Sequence, residues 1–305
     1  MTTSGDGRVL IGLVGMFFLL AALLLPADPP ARSASSPVPS SSPRPTGTAA
    51  PTAGAPVTLT PLLRPSPESQ DPAGGSAGGP AGDEPKGPHG CPAPAPSPVS
   101  WAPGTGPTVA LTFDDGPSRF TAGILDLLAH EQVPATFFVI GGNVASDPRT
   151  VARAAREGHL IGDHSWHHQY PKSVKGGWTR SYLRGEMLSS RIAITAATGE
   201  PVCWFRPPGG TLTPSVTGAA RELGFSLALW SVDTLDWKIQ NGRRPTAVAV
   251  GRIVDRAATG LDLRHPVILL HDGGGNREAE ITAVRRIIAL YREHGYRFVR
   301  LDERS

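Results

Sequence analysis

The sequence predicts an α/β fold in which parallel strands curl into a barrel-like sheet within residues 101–305. Two observations support this prediction. Seven short apolar stretches alternate with helix-patterned stretches, and ionisable residues follow the ends of five of the apolar stretches. The alternation requires parallel strands, because each helix returns the chain for another right-handed crossover.

The first 33 residues are predicted to be an export segment. Residues 9–25 form a run of 17 apolar residues that follows a single basic residue, Arg8. As a helix this run would span roughly 25 Å, slightly less than a typical hydrocarbon core. It is therefore either the core of a signal peptide or an uncleaved single-pass membrane anchor. In both cases the rest of the protein would be extracellular, either secreted or tethered to the outer face of the cytoplasmic membrane.

Residues 34–100 are predicted to be a disordered linker. Residues 26–100 hold 20 of the 32 prolines, and Ser, Ala, Gly and Thr fill most other positions. Such a segment buries too little apolar surface to offset its ordering entropy. All six tryptophans lie after residue 100. The folded unit is therefore predicted to be residues 101–305, which is long enough for one core.

Charge and cysteine content restrict the partners and the compartment. The formal net charge is +3 with no long basic run, which argues against a nucleic-acid partner and suits an anionic cell envelope. The chain has two cysteines, Cys91 and Cys203. In an oxidising compartment they would pair and pin the end of the linker to the folded unit. The alternative is one buried and one exposed free thiol.

The strands and helices follow from apolar periodicity and from end signals. The predicted strands are 108–113, 135–140, 159–164, 203–206, 225–232, 266–271 and 296–301. Apolar residues at three and four spacing predict helices at 122–131 and 280–294. Two further helices are predicted within 146–158 and 213–224, because each stretch has a capping residue followed by Pro and ends at Gly. The cap is Ser146 or Asp147 in the first helix and Thr213 in the second.

The alternation of strands and helices fits both a barrel and an open sheet. The placement of the ionisable residues distinguishes between the two folds. Barrel enzymes gather functional groups from the carboxyl ends of several strands, whereas open sheets concentrate them at one switch point. The ionisable residues at predicted strand ends are Asp114, Asp115, His164, Arg206, Asp233, Asp236 and His271. They follow five different strands, which favours the barrel.

A metal site is predicted where the stretch LTFDDGPS follows the first strand. Asp, Gly and Pro are common in surface turns, but adjacent carboxylates at the end of a buried strand need a nearby positive charge. In DHSWHHQY, His164 and His168 have the i, i+4 spacing that places two imidazoles on one face of a helical turn. With Asp115 they would form a two-nitrogen, one-oxygen triad with an open position, the layout of a catalytic zinc.

The remaining groups suggest acid–base catalysis beside that metal. Asp114 is left free to take a proton from water as general base, and Arg206 would keep it ionised by charge pairing. His271 is the candidate general acid, with Asp236 or Asp233 as the carboxylate that orients its imidazole. Alternatively, His271 is a histidine satisfied by hydrogen bonds at a strand end.

Five motifs in order, TFDDGP, HSWHH, FRPPGG, DTLDW and LLHD, resemble those of the polysaccharide deacetylases, the NodB-homology group of carbohydrate esterase family 4. The resemblance covers about residues 107–302. It implies a distorted, incomplete, TIM-barrel-like (β/α)7 barrel and a divalent metal, commonly zinc and in some members cobalt. It places the metal on Asp115, His164 and His168. It assigns the base to Asp114, tuned by Arg206, and the acid to His271, supported by Asp236.

The chain departs from the family pattern at Gly209, where the family often has an aromatic residue. The resemblance implies that the backbone N–H at this position helps to hold the oxyanion, and glycine can still donate it. A side-chain wall of the substrate groove is lost. Pro208, Trp237 and Asp233 complete the predicted substrate side. The tryptophans near the motifs, Trp166, Trp178, Trp230 and Trp237, either stack on sugar rings or belong to the core.

The expected function is metal-dependent hydrolysis of linear amides, the N-acetyl groups of a cell-wall polysaccharide, with peptidoglycan as the first choice of substrate. Chitooligosaccharides and acetylated xylan are the alternative substrates implied by the resemblance. A non-catalytic glycan-binding wall protein of the same fold is the rival from another class. It would be favoured by loss of the base, a metal ligand or the acid, and all of these residues are present.

Overall fold

The computed structural model describes residues 88–240 and 246–303. The predicted export segment and residues 34–87 of the predicted linker lie outside the described residues and stay predictions. Among the described helices, none is both long and apolar enough to cross a membrane.

The described strands are short, and all of their pairings are parallel. They are β1 (Thr108–Asp114), β2 (Thr136–Val139), β3 (Leu160–Asp163), β4 (Trp204–Phe205), β5 (Ser226–Leu227), β6 (Val232–Asp233), β7 (Val267–His271) and β8 (Arg297–Phe298). The sheet runs in the order β5-β4-β3-β2-β1-β7-β6, and β8 pairs with the start of β1. The parallel α/β barrel predicted from the sequence is thus confirmed, as a curled sheet that remains incomplete between β5 and β6.

The predicted strand 225–232 differs from the observed structure, because it is divided into β5 and β6. The gap between these two strands is called the seam of the barrel. Between them the backbone changes partners: Leu229 N–H donates to Val99 O at 2.7 Å, and Ser231 N–H donates to Val267 O at 3.1 Å. Residues 99–101 lie across this seam, with isolated bridges from Val99 to Ala228 and from Trp101 to Pro266. The segment that precedes the first strand therefore crosses the seam and bonds to the backbone on both of its sides.

Eight described helices connect and cover the strands. They are α1 (Thr121–Glu131), α2 (Gly141–Ser146), α3 (Pro148–Arg156), α4 (Arg180–Thr198), α5 (Pro214–Glu222), α6 (Asp236–Gln240), α7 (Thr246–Ala258) and α8 (Glu280–Glu293). The predicted cap at Thr213 is confirmed, since Thr213 accepts from Val216 N–H at 3.2 Å. Of the two candidates for the cap of α3, the structure selects Asp147 over Ser146, since Asp147 accepts from Thr150 N–H at 3.3 Å. Side-chain caps satisfy a backbone donor that has no intrahelical partner.

The core lies in two layers separated by the sheet. Alternation along β1 turns Leu111 and Phe113 toward the helices, where they join the larger hydrophobic cluster. Ala110 belongs to a smaller cluster on the opposite face, which also contains Phe138 and Val267. Thr112 and Asp114 share the face of Ala110. The inner side of the sheet therefore carries polar groups at the end where β1 stops.

The two cysteines form a disulfide, Cys91–Cys203, across a sequence separation of 112 residues. Cys91 is buried, with 1% of its surface exposed. With Val99 at the barrel seam, this bond orders residues 91–100 against the folded unit, although the sequence placed them in the linker.

Replacing both cysteines with alanine is expected to lower the free energy of unfolding by roughly 2–4 kcal/mol, because the cross-link restricts the unfolded chain. Denaturant unfolding of the two single variants and the double variant measures this. All three should lose about the same amount, since each removes the same bond. Losses that add between the single variants would contradict the assignment.

Candidate metal centre and catalytic site

The predicted site residues converge at the carboxyl ends of the strands around a cavity of about 390 Å³. Those that line it are Asp114, Asp115, His164, His168, Gly209, Asp233, Trp237 and His271. Arg206 and Asp236 are fully buried behind it. Pro208 is buried beside Gly209 and is not among the residues that line the cavity.

The metal triad predicted from the sequence forms a compact group. Candidate ligand atoms of Asp115, His164 and His168 all lie within 4.8 Å of one another. Asp115 Oδ1 is 3.2 Å from His168 Nε2 and 3.6 Å from His164 Nε2. This carboxylate oxygen is buried and has no hydrogen-bond partner among the described residues. Because an uncompensated buried charge is costly, the arrangement fits a bound cation.

The orientation of His164 also fits metal binding. Its Nδ1–H donates to the backbone oxygen of Arg206 at 2.6 Å, which leaves the lone pair of Nε2 directed at the triad. Burial, followed by the nearby His168, lowers the pKa of His164 to about 3. The imidazole is therefore neutral near pH 7, as a metal ligand must be.

An irregular loop, not the predicted helical turn, brings the two histidines together. Ser165 and His168 both have left-handed backbone angles, with φ of 68° and 53°. Asp163 Oδ1 accepts from Ser165 N–H at 2.7 Å, and Ser165 Oγ accepts from His168 N–H at 3.0 Å. Glu186 of α4 holds both the backbone N–H and the ring of His167, at 2.9 and 2.8 Å. Side-chain hydrogen bonds thus fix a loop that helical periodicity does not describe.

A buried ion pair holds the candidate base. Arg206 Nη1 donates to Asp114 Oδ1 at 2.7 Å and to Thr112 Oγ1 at 2.9 Å, while Nη2 donates to Leu229 O at 2.8 Å. Asp114 Oδ2 remains 3.6 Å from His164 Nε2. The guanidinium compensates the charge of Asp114 and leaves one carboxylate oxygen facing the metal site.

The candidate acid is His271, which is supported by Asp236 as predicted. Asp236 Oδ1 accepts from the His271 ring at 2.8 Å, and Oδ2 accepts from the His271 backbone N–H at 2.9 Å. Burial opposes a charge on the imidazole, but the charge and hydrogen bond of Asp236 outweigh it and raise the pKa of His271 to about 9. With Nδ1 held by Asp236, Nε2 is the atom that can give a proton into the cavity.

The residues predicted on the substrate side differ in their exposure to the cavity. Trp237 is 44% exposed and lines the cavity, as does Trp230. Trp178 is buried, and its Nε1–H donates to Gln169 O at 3.0 Å, so it belongs to the core. Asp233 Oδ1 accepts from Leu235 N–H at 2.8 Å, and burial raises the pKa of the Asp233 carboxyl.

Sequence reasoning missed four residues that line the cavity: Tyr170, Leu269, Gly274 and Arg277. Tyr170 lies in the loop that follows His168, and Arg277 follows a glycine-rich turn after His271. Sequence reasoning also missed Asp272, which lies outside the cavity lining. It is fully buried, accepts from Thr121 Oγ1 at 2.5 Å, and its N–H donates to Asp114 O at 3.1 Å. Its position directly after His271 was the only available sign.

Comparisons with known proteins identify the family to which this chain is similar. A family model described as polysaccharide deacetylase matches residues 102–228. The chain is 34% identical over 209 residues to a peptidoglycan-N-acetylglucosamine deacetylase of Bacillus cereus, covering 67% of this chain and 92% of the relative. It is 36% identical over 200 residues to the peptidoglycan-N-acetylglucosamine deacetylase PgdA of Listeria monocytogenes, covering 65% of this chain and 39% of that longer protein. The crystal structure of a Bacillus cereus polysaccharide deacetylase superposes with a TM-score of 0.58 at 33% identity, covering 64% of this chain and 92% of that one.

Asp236→Asn is expected to lower the pKa of His271 well below about 9, because burial would then be opposed only by the smaller effects of the Asp114 and Asp115 charges. In the unchanged protein the imidazolium persists up to about pH 9. Because this pKa lies above the unfolded value, its stabilising contribution is complete below about pH 6.5 and is lost as the pH rises through about 9. Histidine ring resonances followed by NMR during a pH titration measure the shift.

Asp255→Asn, a change at an exposed carboxylate of α7, is the matched control and should leave the pKa of His271 in place. An unchanged pKa in Asp236→Asn would contradict the assigned role of Asp236.

Proposed function

The chain belongs to the polysaccharide deacetylase family, and from this premise we propose that it removes N-acetyl groups from peptidoglycan amino sugars with a divalent metal ion. One observation carries the proposal. The Asp115–His164–His168 cluster lies in the same cavity as the arginine-paired Asp114 and the carboxylate-held His271.

Peptidoglycan is proposed as the polymer because the relatives described above are named for peptidoglycan N-acetylglucosamine. The cavity suits a sugar, since it is lined by aromatic rings, including Trp230 and Trp237, beside carboxylate and imidazole groups. Chitooligosaccharides and acetylated xylan serve as the competing substrates in the test.

Zinc is proposed as the ion, with cobalt as the alternative, because a set of two imidazoles and one carboxylate suits both. Asp115, His164 and His168 would hold it. When bound, the ion supplies Lewis acidity toward the acetyl carbonyl and toward the attacking water.

The residues of the chain carry the proton transfers. Asp114 accepts a proton from the attacking water as the new C–O bond forms at the acetyl carbon. The backbone N–H of Gly209 donates to the oxyanion that develops there. As the C–N bond breaks, His271 Nε2 gives its proton to the departing nitrogen. The products are acetate and a free amino sugar. The partners of the two groups, Arg206 and Asp236, set one as base and the other as acid.

We propose that the protein works outside the cytoplasmic membrane. The apolar run at residues 9–25 suits export. The Cys91–Cys203 disulfide suits an oxidising compartment. Amino-terminal sequencing of the mature protein shows whether the apolar run is cleaved or is retained as an anchor.

The function is tested by measuring acetate release from acetylated peptidoglycan, chitooligosaccharides and acetylated xylan. We expect release from peptidoglycan to be fastest, to stop after chelation and to return on addition of zinc or cobalt. Release that survives complete removal of metal would contradict the proposed chemistry. A preference for another polymer would contradict the proposed substrate.

Asp114→Asn is expected to lower kcat by about 10²–10⁴-fold, because it removes the proton acceptor. The amide keeps the shape of the carboxylate, so zinc and glycan binding measured by calorimetry should persist. Asp126→Asn is the control, since the Asp126 side chain is 71% exposed and lies in an ion pair on α1. Full acetate release by Asp114→Asn would refute the assignment of the base.

A further inference from the structure

The ring of Tyr170 occupies the space that a side chain at position 209 would need. Gly209 has a φ of 61°, and a Cβ built on it would lie 2.7 Å from Tyr170 Cε1 and 3.6 Å from Cδ1. The shorter distance is below any ordinary carbon–carbon contact. Gly209 and Tyr170 are therefore complementary, because the ring fits here only against a residue that has no side chain.

The same ring borders the metal site. The Tyr170 and His168 rings meet edge to face, with centroids 5.5 Å apart and an interplanar angle of 83°. Tyr170, Gly209 and Asp115 all line the cavity. Tyr170 is nevertheless 44% exposed. Part of the ring is thus packed against the site, and the rest is open to whatever enters the cavity.

The backbone around Tyr170 is held in place before any ligand binds. Pro171 follows it and restricts its conformation to the extended region, where it lies, with φ −75° and ψ 156°. Tyr170 O accepts from Ser173 N–H at 2.9 Å. The preceding carbonyl, of Gln169, accepts from the buried Trp178 at 3.0 Å. A ring on such a fixed loop loses little conformational freedom when a ligand packs on it.

We propose that Tyr170 forms the aromatic wall of the substrate cleft beside the metal centre and packs on the acetylated sugar residue. It stands in the place that a side chain at position 209 would otherwise fill. The identity of the substrate rests on the function proposed above. Because the ring touches both Gly209 and His168, which would hold the acetyl oxygen and the metal, it borders the sugar residue that carries the reacting acetyl group.

A purely structural role would have a different signature. If the ring served only to hold His168 in position, its loss would weaken metal binding and lower kcat. A wall that packs on substrate instead contributes equally to ground-state and transition-state binding, so its loss raises KM and leaves kcat nearly unchanged.

The first experiment compares Tyr170→Phe and Tyr170→Ala with the unchanged protein. We expect Tyr170→Phe to retain normal oligosaccharide affinity. Tyr170→Ala should weaken the calorimetric affinity for an N-acetylated oligosaccharide, and raise KM, by roughly 5- to 10-fold. Zinc affinity, measured by competition with a chelator, should be unchanged. Unaltered oligosaccharide affinity in Tyr170→Ala, or loss of zinc instead, would overturn the proposal.

The second experiment tests whether the Tyr170 ring fills the space that a side chain at position 209 would need. Gly209→Ala should lower the Tm by several degrees more than Gly224→Ala. Gly224 has a similar φ of 71° but nothing within 4 Å of a built Cβ, so it reports the backbone penalty alone. In the Tyr170→Ala background the extra loss at position 209 should disappear. If it persists there, the ring does not occupy that space and the proposal fails.

Both experiments stay informative if the proposed function is wrong. Calorimetry and thermal unfolding require no turnover. Absence of acetate release with normal oligosaccharide binding would refute the deacetylase function alone. Equal oligosaccharide binding by the unchanged protein and by Tyr170→Ala would refute the role of Tyr170 alone.

Discussion

Two adjacent carboxylates at the end of a buried strand impose the constraint on which the rest of the site depends. Asp114 and Asp115 are both buried, and neither charge is tolerable without a partner. The chain separates them by a sharp backbone turn, with φ of 74° at Asp115. One carboxylate then faces the guanidinium of Arg206, and the other faces two imidazoles and the position of a cation.

The gap between β5 and β6 supplies one of the acceptors that hold Arg206 beside Asp114. Arg206 follows β4, three strands away from β1 in the sheet, and its fully buried side chain crosses the inner face to Thr112 and Asp114. Its other donor is satisfied by Leu229 O, a carbonyl released where the chain leaves β5 at the seam. The break in the sheet is thus part of the site, because it supplies an acceptor that a continuous strand would have used in a ladder.

Strand register places the base and the acid side by side. Asp114 and His271 are Cα partners on the neighbouring strands β1 and β7. Their environments drive them to opposite roles: Asp114 is paired with a buried cation, and His271 with a buried anion. A carboxylate and an imidazole that lie side by side, each with a buried partner of opposite charge, are suited to act as a base and an acid.

The sequence by itself determined the parallel α/β fold, the cap at Thr213 and the candidate residues for the metal triad, the base and the acid. These depend on periodicity and on chemical groups at strand ends, which are local properties of the chain. Only the tertiary structure decided between a disulfide and free thiols, replaced the helical turn at His164–His168 with a hydrogen-bonded loop, and divided the strand 225–232. It also brought Tyr170 over Gly209. Each of these results depends on contacts between residues distant in sequence or on side-chain hydrogen bonds, and neither leaves a periodic pattern in the chain.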